Sequence, residues 1–447
     1  MKTKIAAFAC CLGLALSLTS CDTTFENPNA ASEDQVLTTV EGLRSLAIGM
    51  RRHYSVVTLS AVIRTSGLST REFGVVVGFT NPQEIELGGT ALPAENGILT
   101  GLWSNNYRVM GMAEQIIDNA GSVVGEQATA NAFLALGHLF KAMSLGNLAQ
   151  FYEAMPLSVD PDGDGVFVSR QEALQEAVRL LEVGIAALGG QPVPGDFQRV
   201  VLGTTDFDLN LCMNAYLARY QLFLGNHAAA AAAASAALQN PSAKSVFTYD
   251  DGNSNENPLY IQTTLEPATY KPVDNFGLDP AVFTVDPNDG RLAFYLSPSD
   301  AIGESSRIPV ETMHGFFDVI DEPIPVYLPG EMYLIRAEAA ARTNDIPGAI
   351  GALNQVLQKT DDPYGVNANL PAYSGAQTQQ ALLQEIFRNR RIELFLTGMS
   401  LEDSRRLGQP EPPNPASFES FNRNRNFYPY PQTERDNNPN TPANPSI

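Results

Sequence analysis

Cysteine is scarce in this sequence. Of its four cysteines, Cys10, Cys11 and Cys21 stand at the amino terminus, which leaves Cys212 alone in the rest of the chain. A single cysteine excludes a disulfide within that part of the chain. Cys212 stands in an apolar helical run, and this setting favours a small buried hydrophobic residue over a reactive thiol.

Positively charged residues are also scarce. The 28 Lys and Arg residues face 49 Asp and Glu residues, which gives a formal net charge of −21. Binding to a phosphate backbone needs a cationic surface, so we expect no nucleic-acid partner. With 447 residues and 44% hydrophobic content, the chain has ample material for a large folded core.

Motifs of the common catalytic classes are missing. The sequence contains no G-x-S-x-G, H-E-x-x-H, Walker or G-x-G-x-x-G pattern. Its four histidines show no metal-ligand spacing, and His138 stands among apolar neighbours, which is typical of a satisfied core residue. The residues alone therefore single out no catalytic residues, and we expect no bound metal and no cofactor.

The first residues have the pattern of an export signal. Two lysines precede an apolar run over residues 5–18, which is too short to span a bilayer. A small residue followed by Cys21 is typical of a bacterial lipobox, so residues 1–20 are predicted to be a lipoprotein signal peptide and Cys21 the lipid attachment site. The asparagine-rich residues 21–32 are predicted to be a tether.

The body, predicted over residues 33–447, is dominated by helical periodicity. Its best-formed stretch is 327–359, where Met332, Ile335 and Ala339 make an apolar stripe. Asp345 is placed to cap a second helix whose first turn contains Pro347. Two short amphipathic helices joined by a polar turn are typical of a tetratricopeptide unit, which must stack on a neighbour to bury its faces.

Three charged residues border the apolar stripe of this hairpin, and we expect them to be exposed: Glu331, Arg336 and Glu338. A second hairpin of the same kind is predicted over residues 210–239. We divide the body into four parts. The N-terminal helical part covers 33–238 and contains an irregular loop at 64–97. A loop-rich layer at 239–326, a C-terminal helical part at 327–408 and an extended strap at 409–447 follow.

Residues 160–165 imitate the first half of an EF-hand calcium loop, from Asp160 through Asp164. The twelfth loop position is Gln171 instead of an acidic residue. We interpret the segment as a tight acidic turn before a helix with a capping box of Ser169 and Glu172. Calcium binding there is left as an alternative.

The two irregular segments, 64–97 and 239–326, combine aromatic side chains with turn-forming residues. Aromatic faces can stack on sugar rings, and polar side chains can pair with hydroxyl groups. We predict a ligand site from the following residues of these segments: Arg71, Phe73, Asn81, Tyr270, Phe276 and Phe317. The lone tryptophan, Trp103, lies within an amphipathic helix, which favours a core position over a ligand platform.

The densest positive cluster of the body consists of Arg388, Arg390 and Arg391. Glutamates flank it within one long predicted helix. In an acidic protein, such a cluster is expected to form ion pairs within the chain.

Several of these stretches together resemble the SusD/RagB family of outer-membrane nutrient-binding lipoproteins. The likeness rests on the lipobox, the helix hairpins, RNRRIELFLTG followed by DSRRLG, and the terminal YPYPQTERDNNPN. The matching positions are Arg391, Glu393, Leu394, Gly398, Asp403, Arg406, Pro431, Gln432, Glu434, Asn438 and Pro439. Ser400 and Leu401 depart from the family pattern.

The resemblance implies an all-α, mostly helical fold with a scaffold of tetratricopeptide-like helix pairs and a loop-rich variable layer that holds the ligand. It implies a non-enzymatic lipoprotein of the outer membrane that faces the cell exterior. Such a protein captures a glycan, or in some cases a peptide, and acts as the lid of a SusC-type TonB-dependent transporter. The scaffold hairpins would face that transporter.

Two other functions remain open at this stage. The first is a lipid-anchored tetratricopeptide-type scaffold that binds protein. The second is a lipid-anchored glycoside hydrolase, because glycosidases need only two carboxylates and the sequence has 49 acidic residues.

Overall fold

The computed structural model describes residues 37–252 and 254–447. The predicted signal peptide, residues 1–20, the lipid attachment site Cys21 and the tether, residues 21–32, lie outside the described residues. Among the residues that are described, no helix combines the length and the apolar character needed to cross a bilayer.

The chain is mostly helical, as predicted. The α-helices of the described residues are α1 (Val40–His53), α2 (Leu59–Ser69), α3 (Thr80–Leu87), α4 (Gly97–Val123), α5 (Gln127–Phe151), α6 (Arg170–Leu188), α7 (Gly195–Val200), α8 (Leu209–Phe223), α9 (His227–Ala237), α10 (Pro258–Thr263), α11 (Gly290–Tyr295), α12 (Pro329–Arg342), α13 (Ile346–Leu357), α14 (Gln379–Glu393), α15 (Ser400–Arg406) and α16 (Gln432–Asn437). A π-helical turn, Tyr54–Thr58, joins α1 to α2, and 3₁₀ turns occupy Gly89–Ala91 and Asp274–Gly277.

The strands are short and form antiparallel pairs. They are β1 (Phe73–Val75), β2 (Ala154–Met155), β3 (Val168–Ser169), β4 (Val246–Phe247), β5 (Tyr270–Pro272), β6 (Leu296–Ser297), β7 (Thr312–Met313) and β8 (Ile324–Pro325). β1 pairs with β5, β2 with β3, β4 with β8 and β6 with β7. Three of the four pairs thus lie wholly or partly in the predicted loop-rich layer.

The long helices pack in a row, each against the next. α4 and α6 lie on either side of α5, and the row continues through α8, α9 and α12 to α13 and α14. A helix that is buried on two sides cannot keep a narrow apolar stripe, and every residue of α5 from Ala142 to Phe151 is buried. The row is the stacking that the sequence predicts for tetratricopeptide-like units.

The structure confirms the predicted start of the second helix in the hairpin of α12 and α13. The Asp345 side chain accepts a hydrogen bond from the backbone N–H of Gly348, and Pro347 lies in the first turn of α13. Met332, Ile335 and Ala339 are buried as predicted. Gly146 of α5 permits a close approach of α8, because a Cβ there would stand 2.0 Å from Cζ of Tyr220.

The expected exposure of two glutamates on α12 is wrong. Glu331 is 2% exposed and Glu338 is 0% exposed, and only Arg336 of the three faces solvent. Glu331 pairs with Arg219 of α8, and Glu338 pairs with Arg342 and with Arg406 of α15. The helical period placed these glutamates beside the apolar stripe and so predicted that they are exposed. Because α12 packs against helices on several sides, its glutamates instead form ion pairs inside the protein.

The arginine cluster of α14 forms pairs within the chain, as predicted. Nη2 of Arg388 lies 2.6 Å from Oε1 of Glu385, and Nε of Arg390 lies 2.8 Å from Oδ2 of Asp403. Arg391 donates to the carbonyl oxygens of Phe276 and Gly277 at 2.9 and 3.2 Å. The cluster therefore fastens the loop-rich layer to the helical scaffold.

The segment 64–97 is less irregular than predicted. α2 continues through Ser69, α3 occupies Thr80–Leu87, and Phe73–Val75 forms β1. The glycine and threonine content concealed these elements, because burial of nearly all of α2 stabilises a sequence of low helix propensity. Cys212 is fully buried, as predicted, and burial raises the pKa of its thiol.

Candidate functional site

A cavity of about 350 Å³ opens between α4, the loop that follows β2, and α16. We call it the Trp103 pocket. Its lining residues are Trp103, Ser104, Tyr107, Pro156, Ser158, Val159, Asp160, Gly163, Gly165, Thr433, Glu434, Asn437 and Asn438. Three segments that are remote in sequence therefore build one concave surface of the size that small-molecule sites have.

Aromatic rings form the floor of the Trp103 pocket. Trp103 and Tyr107 are four residues apart on α4, so their side chains lie on one face of the helix, with ring centroids 5.0 Å apart. Tyr152 meets the indole edge-on at 4.8 Å, and Phe167 stacks on it at 5.9 Å. Trp103 is 5% exposed, so the predicted core position is confirmed while part of the ring reaches the cavity.

An acidic turn forms one wall. Asp160 accepts hydrogen bonds from the backbone N–H groups of Asp162, at Oδ1, and of Gly163, at its carbonyl, and Gly163 adopts a φ of +78°. A left-handed conformation of this kind favours glycine, which explains the residue at that position. The predicted tight turn is thus confirmed. Within the described chain, no group of three or more His, Cys, Asp or Glu side chains is placed to hold a metal ion.

The capping box predicted after this turn is also present. The Ser169 side chain accepts from the backbone N–H of Glu172, and the Glu172 carboxylate accepts from the backbone N–H of Ser169 at 2.9 Å. The box begins α6 directly beyond the pocket wall. It fixes the point at which the loop returns to the scaffold.

The terminal strap forms the opposite wall. Oε2 of Glu434 accepts the indole N–H of Trp103 at 3.0 Å, and Oε1 accepts from Asn438 Nδ2 at the same distance. Asn438 Nδ2 also donates to the carbonyl oxygen of Gly165 at 2.9 Å, which joins the strap to the acidic turn. Glu434 and Asn438 are motif residues of the tail, and here they hold the three pocket walls together.

Stacked tyrosines hold the strap against the scaffold. Tyr428 stacks on Phe151 at 5.5 Å between ring centroids, and Tyr430 stacks on Tyr152 at 5.9 Å. All four of these side chains are buried. The strap is therefore part of the core and not a loose extension.

The pocket combines a partly apolar floor with polar walls and a negative rim. Burial, followed by the nearby Glu434 carboxylate, raises the pKa of Tyr107 well above its usual value, so its hydroxyl stays protonated and donates to the carbonyl of Pro156 at 2.9 Å. Exposed Ser104, Ser158 and Thr433 offer hydroxyl groups at the opening. Rings below and hydrogen-bonding groups around them suit a neutral, polyhydroxylated ligand.

Four of the six ligand residues predicted from the sequence lie together in the seam between β1 and β5. The rings of Phe73 and Tyr270 are 5.8 Å apart. Arg71 donates to carbonyl oxygens of residues 86, 417 and 420, and the carbonyl of Phe276 accepts from Arg391. These four side chains are between 0% and 3% exposed, so a ligand could reach them only if the surrounding loops moved.

The other two predicted ligand residues lie apart. Phe317 is 1% exposed and lines an internal cavity beside Tyr216 and Arg219, whereas Asn81 is exposed at the start of α3. The assignment of all six to a ligand site stays a prediction. Sequence reasoning missed the Trp103 pocket because Trp103 and Glu434 are separated by 331 residues; the spacing of Trp103 and Tyr107 was the one local signal.

Comparison with known proteins supports the fold and finds a family match in the carboxyl-terminal part of the chain. Residues 320–446 match the model of the SusD family. None of the curated proteins matches the chain significantly.

Solved structures of low sequence identity share the whole fold. A SusD superfamily protein from Bacteroides thetaiotaomicron VPI-5482 is 18% identical, with a TM-score of 0.69 over 91% of this chain and 100% of that one. A SusD-like carbohydrate binding protein from Bacteroides vulgatus ATCC 8482 is 18% identical, with a TM-score of 0.65 over 83% and 84%. NanU of B. fragilis is 13% identical, with a TM-score of 0.67 over 94% and 99%.

The matched sequence region covers α12 to α16, which hold the scaffold hairpin, the arginine helix and the strap. The structural likeness extends the same architecture to the N-terminal helices. The carboxyl-terminal part of the chain is therefore similar to the SusD family in sequence, and the chain shares its fold with SusD-like structures.

Proposed function

We propose that this protein binds a glycan in the Trp103 pocket and delivers it to a SusC-type TonB-dependent barrel. The observation that carries the proposal is a cavity with an aromatic floor and polar walls on a SusD fold. One structural relative is described as a SusD-like carbohydrate binding protein, which supports the same ligand class. In this role the protein binds and releases the glycan and does not cleave its glycosidic bonds.

A pyranose fits the chemistry of the pocket. The apolar face of a sugar ring packs on the exposed part of Trp103 and Tyr107, and its hydroxyl groups bond to Ser104, Ser158, Asp160 and Asn437 at the rim. The carboxylates of Asp160 and Glu434 disfavour strongly acidic sugars at these walls because like charges repel. We therefore propose a neutral or amine-bearing glycan as the preferred ligand.

A blocking substitution tests this site. Ser104 is exposed on α4 and lines the pocket, so Ser104→Trp should fill the cavity. Ser122→Trp on the same helix is the matched control, because Ser122 is exposed and does not line the pocket. In calorimetric titrations against an oligosaccharide found by glycan array, we expect at least a tenfold loss of affinity for Ser104→Trp and none for the control.

The seam between β1 and β5 is the competing location. If Ser104→Trp binds like the wild type, the Trp103 pocket is not the site. Asn81→Trp then tests the one exposed residue of the six predicted from the sequence, which lies apart from that seam. Loss of binding in this variant would favour a ligand site that includes Asn81.

The anchor and the transporter complete the proposed function. Lipidation of Cys21 would fix the protein to the outer membrane, facing the cell exterior, with each buried CH₂ contributing about 0.8 kcal/mol. The protein would serve as a lid that shifts between open and closed populations as ligand binds. Mass spectrometry of the membrane-extracted protein checks the anchor, and a Cys21→Ser variant should be released from the membrane fraction.

The helix-pair side is the proposed contact with the barrel. Arg336 is exposed on α12, and a polar cavity of about 310 Å³ between α12 and α13 presents Tyr333, Asn354, Gln355 and Gln358. We expect Arg336→Glu to weaken co-purification of the barrel while glycan affinity stays unchanged. The opposite pattern would place the barrel contact elsewhere.

A further inference from the structure

Ser297, His314 and Asp318 form a continuous chain of hydrogen bonds in the loop-rich layer. The Oγ of Ser297 lies 2.8 Å from Nε2 of His314, and Nδ1 of the same ring lies 2.8 Å from Oδ1 of Asp318. This is the connectivity of a nucleophilic serine with its base and the group that orients the base. None of the three lines the Trp103 pocket.

The β6–β7 ribbon places the first two residues. Ser297 is directly opposite Thr312 in the antiparallel register, and Leu296 is opposite Met313. Leu296 and Met313 are buried, so the alternate side chains, Ser297 and the residue two places after Thr312, project from the other face. His314 is that residue, and diagonal neighbours across a ribbon are within reach of each other.

The turn after β7 supplies the third residue. The backbone N–H of His314 donates to the carbonyl of Tyr295 at 2.8 Å, which extends the ribbon by one residue. Gly315 then adopts a φ of +74°, and the reversed chain brings Asp318 back beside the imidazole. The Thr264 hydroxyl holds this turn by donating to the carbonyl of Phe317 at 2.8 Å.

The hydrogen-bond partners determine the tautomer. An ionised carboxylate only accepts, so Nδ1 of His314 carries the proton that faces Asp318. Nε2 is then the unprotonated nitrogen, and the Ser297 hydroxyl donates to it. The histidine is therefore oriented to take the serine proton, which is the role of a general base.

We propose that Ser297 is an activated nucleophile that accepts an acyl group from short-chain carboxylic esters. Oγ attacks the ester carbonyl as Nε2 of His314 takes the hydroxyl proton, and an Oγ–C bond forms. The C–O bond to the alcohol then breaks, and the histidine returns the proton to the departing alkoxide. Water, deprotonated by the same nitrogen, cleaves the acyl-serine and releases the carboxylic acid.

Exposure of the group sets the substrate class. The side chains of His314 and Asp318 are 36% and 44% exposed, so the group lies on the surface and not in a deep cavity. A small acyl group that projects from a larger molecule, such as an O-acetyl group on a saccharide, reaches such a site. Long acyl chains gain little from it because two of the three side chains are open to solvent.

The experiment uses the purified full chain with two probes, p-nitrophenyl acetate and a fluorophosphonate. We expect one equivalent of fluorophosphonate on Ser297, located by peptide mass spectrometry, and release of p-nitrophenolate that falls at least tenfold in Ser297→Ala and in His314→Ala. Added imidazole should restore part of the rate in His314→Ala but not in Ser297→Ala. A merely structural histidine would not give this rescue.

Ser299→Ala is the matched control, two residues further along the same segment. It should react like the wild type with both probes. The proposal is overturned if Ser297→Ala releases p-nitrophenolate at the wild-type rate, or if the fluorophosphonate distributes over surface residues without preference for Ser297. Glycan affinity of Ser297→Ala, measured in parallel, should be unchanged, which keeps this result separate from the proposed function.

Discussion

Arg219 and Glu331 form a two-pronged ion pair inside the helical scaffold, with Nε to Oε1 and Nη2 to Oε2 both at 2.7 Å. The two side chains are 7% and 2% exposed, and the guanidinium also lies over the ring of Tyr216, 4.2 Å from its centroid. The pair joins α8 to α12, which are more than 100 residues apart in sequence. The pair shows that α12 is enclosed on the side that faces α8.

Removing one partner of this pair should destabilise the protein strongly. Glu331→Ala leaves a buried guanidinium without its counter-charge, and such losses cost about 3–5 kcal/mol. Arg219→Met combined with Glu331→Leu should recover much of the loss, because neither charge is then buried alone. The free energy of unfolding in guanidinium chloride measures both, with Arg336→Ala as an exposed control on the same helix; equal losses for Glu331→Ala and the control would contradict the expectation.

Two helix-interior glycines should respond to alanine with opposite signs. A Cβ at Gly146 would overlap the Tyr220 ring, so Gly146→Ala should cost about 1–3 kcal/mol or more through overpacking. At Gly121 of α4 no atom lies within 4 Å of the new Cβ, so Gly121→Ala should stabilise by about 0.5–1 kcal/mol. Thermal and chemical unfolding of the two variants checks the pair, and a change of the same sign in both would refute this packing argument.

His138 should make stability fall on mild acidification. Burial, then the charges of Arg179 and Lys141, lowers its pKa from 6.5 to about 4, while Glu176 opposes the shift. Its buried Nδ1 has no hydrogen-bond partner among the residues that the structure describes, so the expected satisfied core histidine is only half right. Between pH 6.5 and 4 the unfolded chain binds a proton that the folded chain rejects, so this contribution to stability is lost as the pH drops.

His138→Leu should therefore flatten the pH dependence in this window. Part of the slope will remain, because burial also lowers the pKa values of His53 and His227. Unfolding free energies at pH 7.5, 6 and 5 give the comparison. Parallel pH profiles of variant and wild type would show that His138 does not titrate as inferred.

Asn438 should control the local stability of the strap. Asn438→Ala removes the bonds to Gly165 and Glu434 and leaves a buried carbonyl unpaired, a loss of about 1–3 kcal/mol. Asn437→Ala is the control, since its side chain is exposed and, within the part of the chain that the structure describes, bonds to Thr433 of its own helix. Hydrogen exchange should rise in the strap of the first variant and stay unchanged in α12; uniform acceleration along the chain would mean that the bond acts globally.

Local chemistry determined most of what the sequence could predict. The caps of Asp345 and Ser169, the turn at Asp160 and the hairpin α12–α13 depend on residues within a few positions of one another, and the structure confirms them. Ion pairs between residues that are far apart in sequence could not be predicted. No residue near Glu331 in the sequence indicates that Arg219 is its partner. A polar residue on a helix predicts exposure only when no second layer covers it.

The candidate site also depends on contacts between residues that are far apart in sequence. Trp103 and Tyr107 could be placed on one helix face, but the acidic turn and α16 that complete the pocket join them only in the folded chain. Ser297 and His314 are likewise brought together by the register of β6 and β7. The irregular segments carry too little periodicity for that register to be read from sequence.

The three walls of the Trp103 pocket differ in how closely each is packed into the rest of the protein. α4 belongs to the packed row of helices, and the tyrosines of the strap are part of the core. The acidic turn, by contrast, is exposed at Asp160, Asp162 and Asp164 and bonds to its neighbours chiefly through backbone carbonyls. The length and side chains of this turn can therefore change without disturbing the packed helices and the strap that hold it.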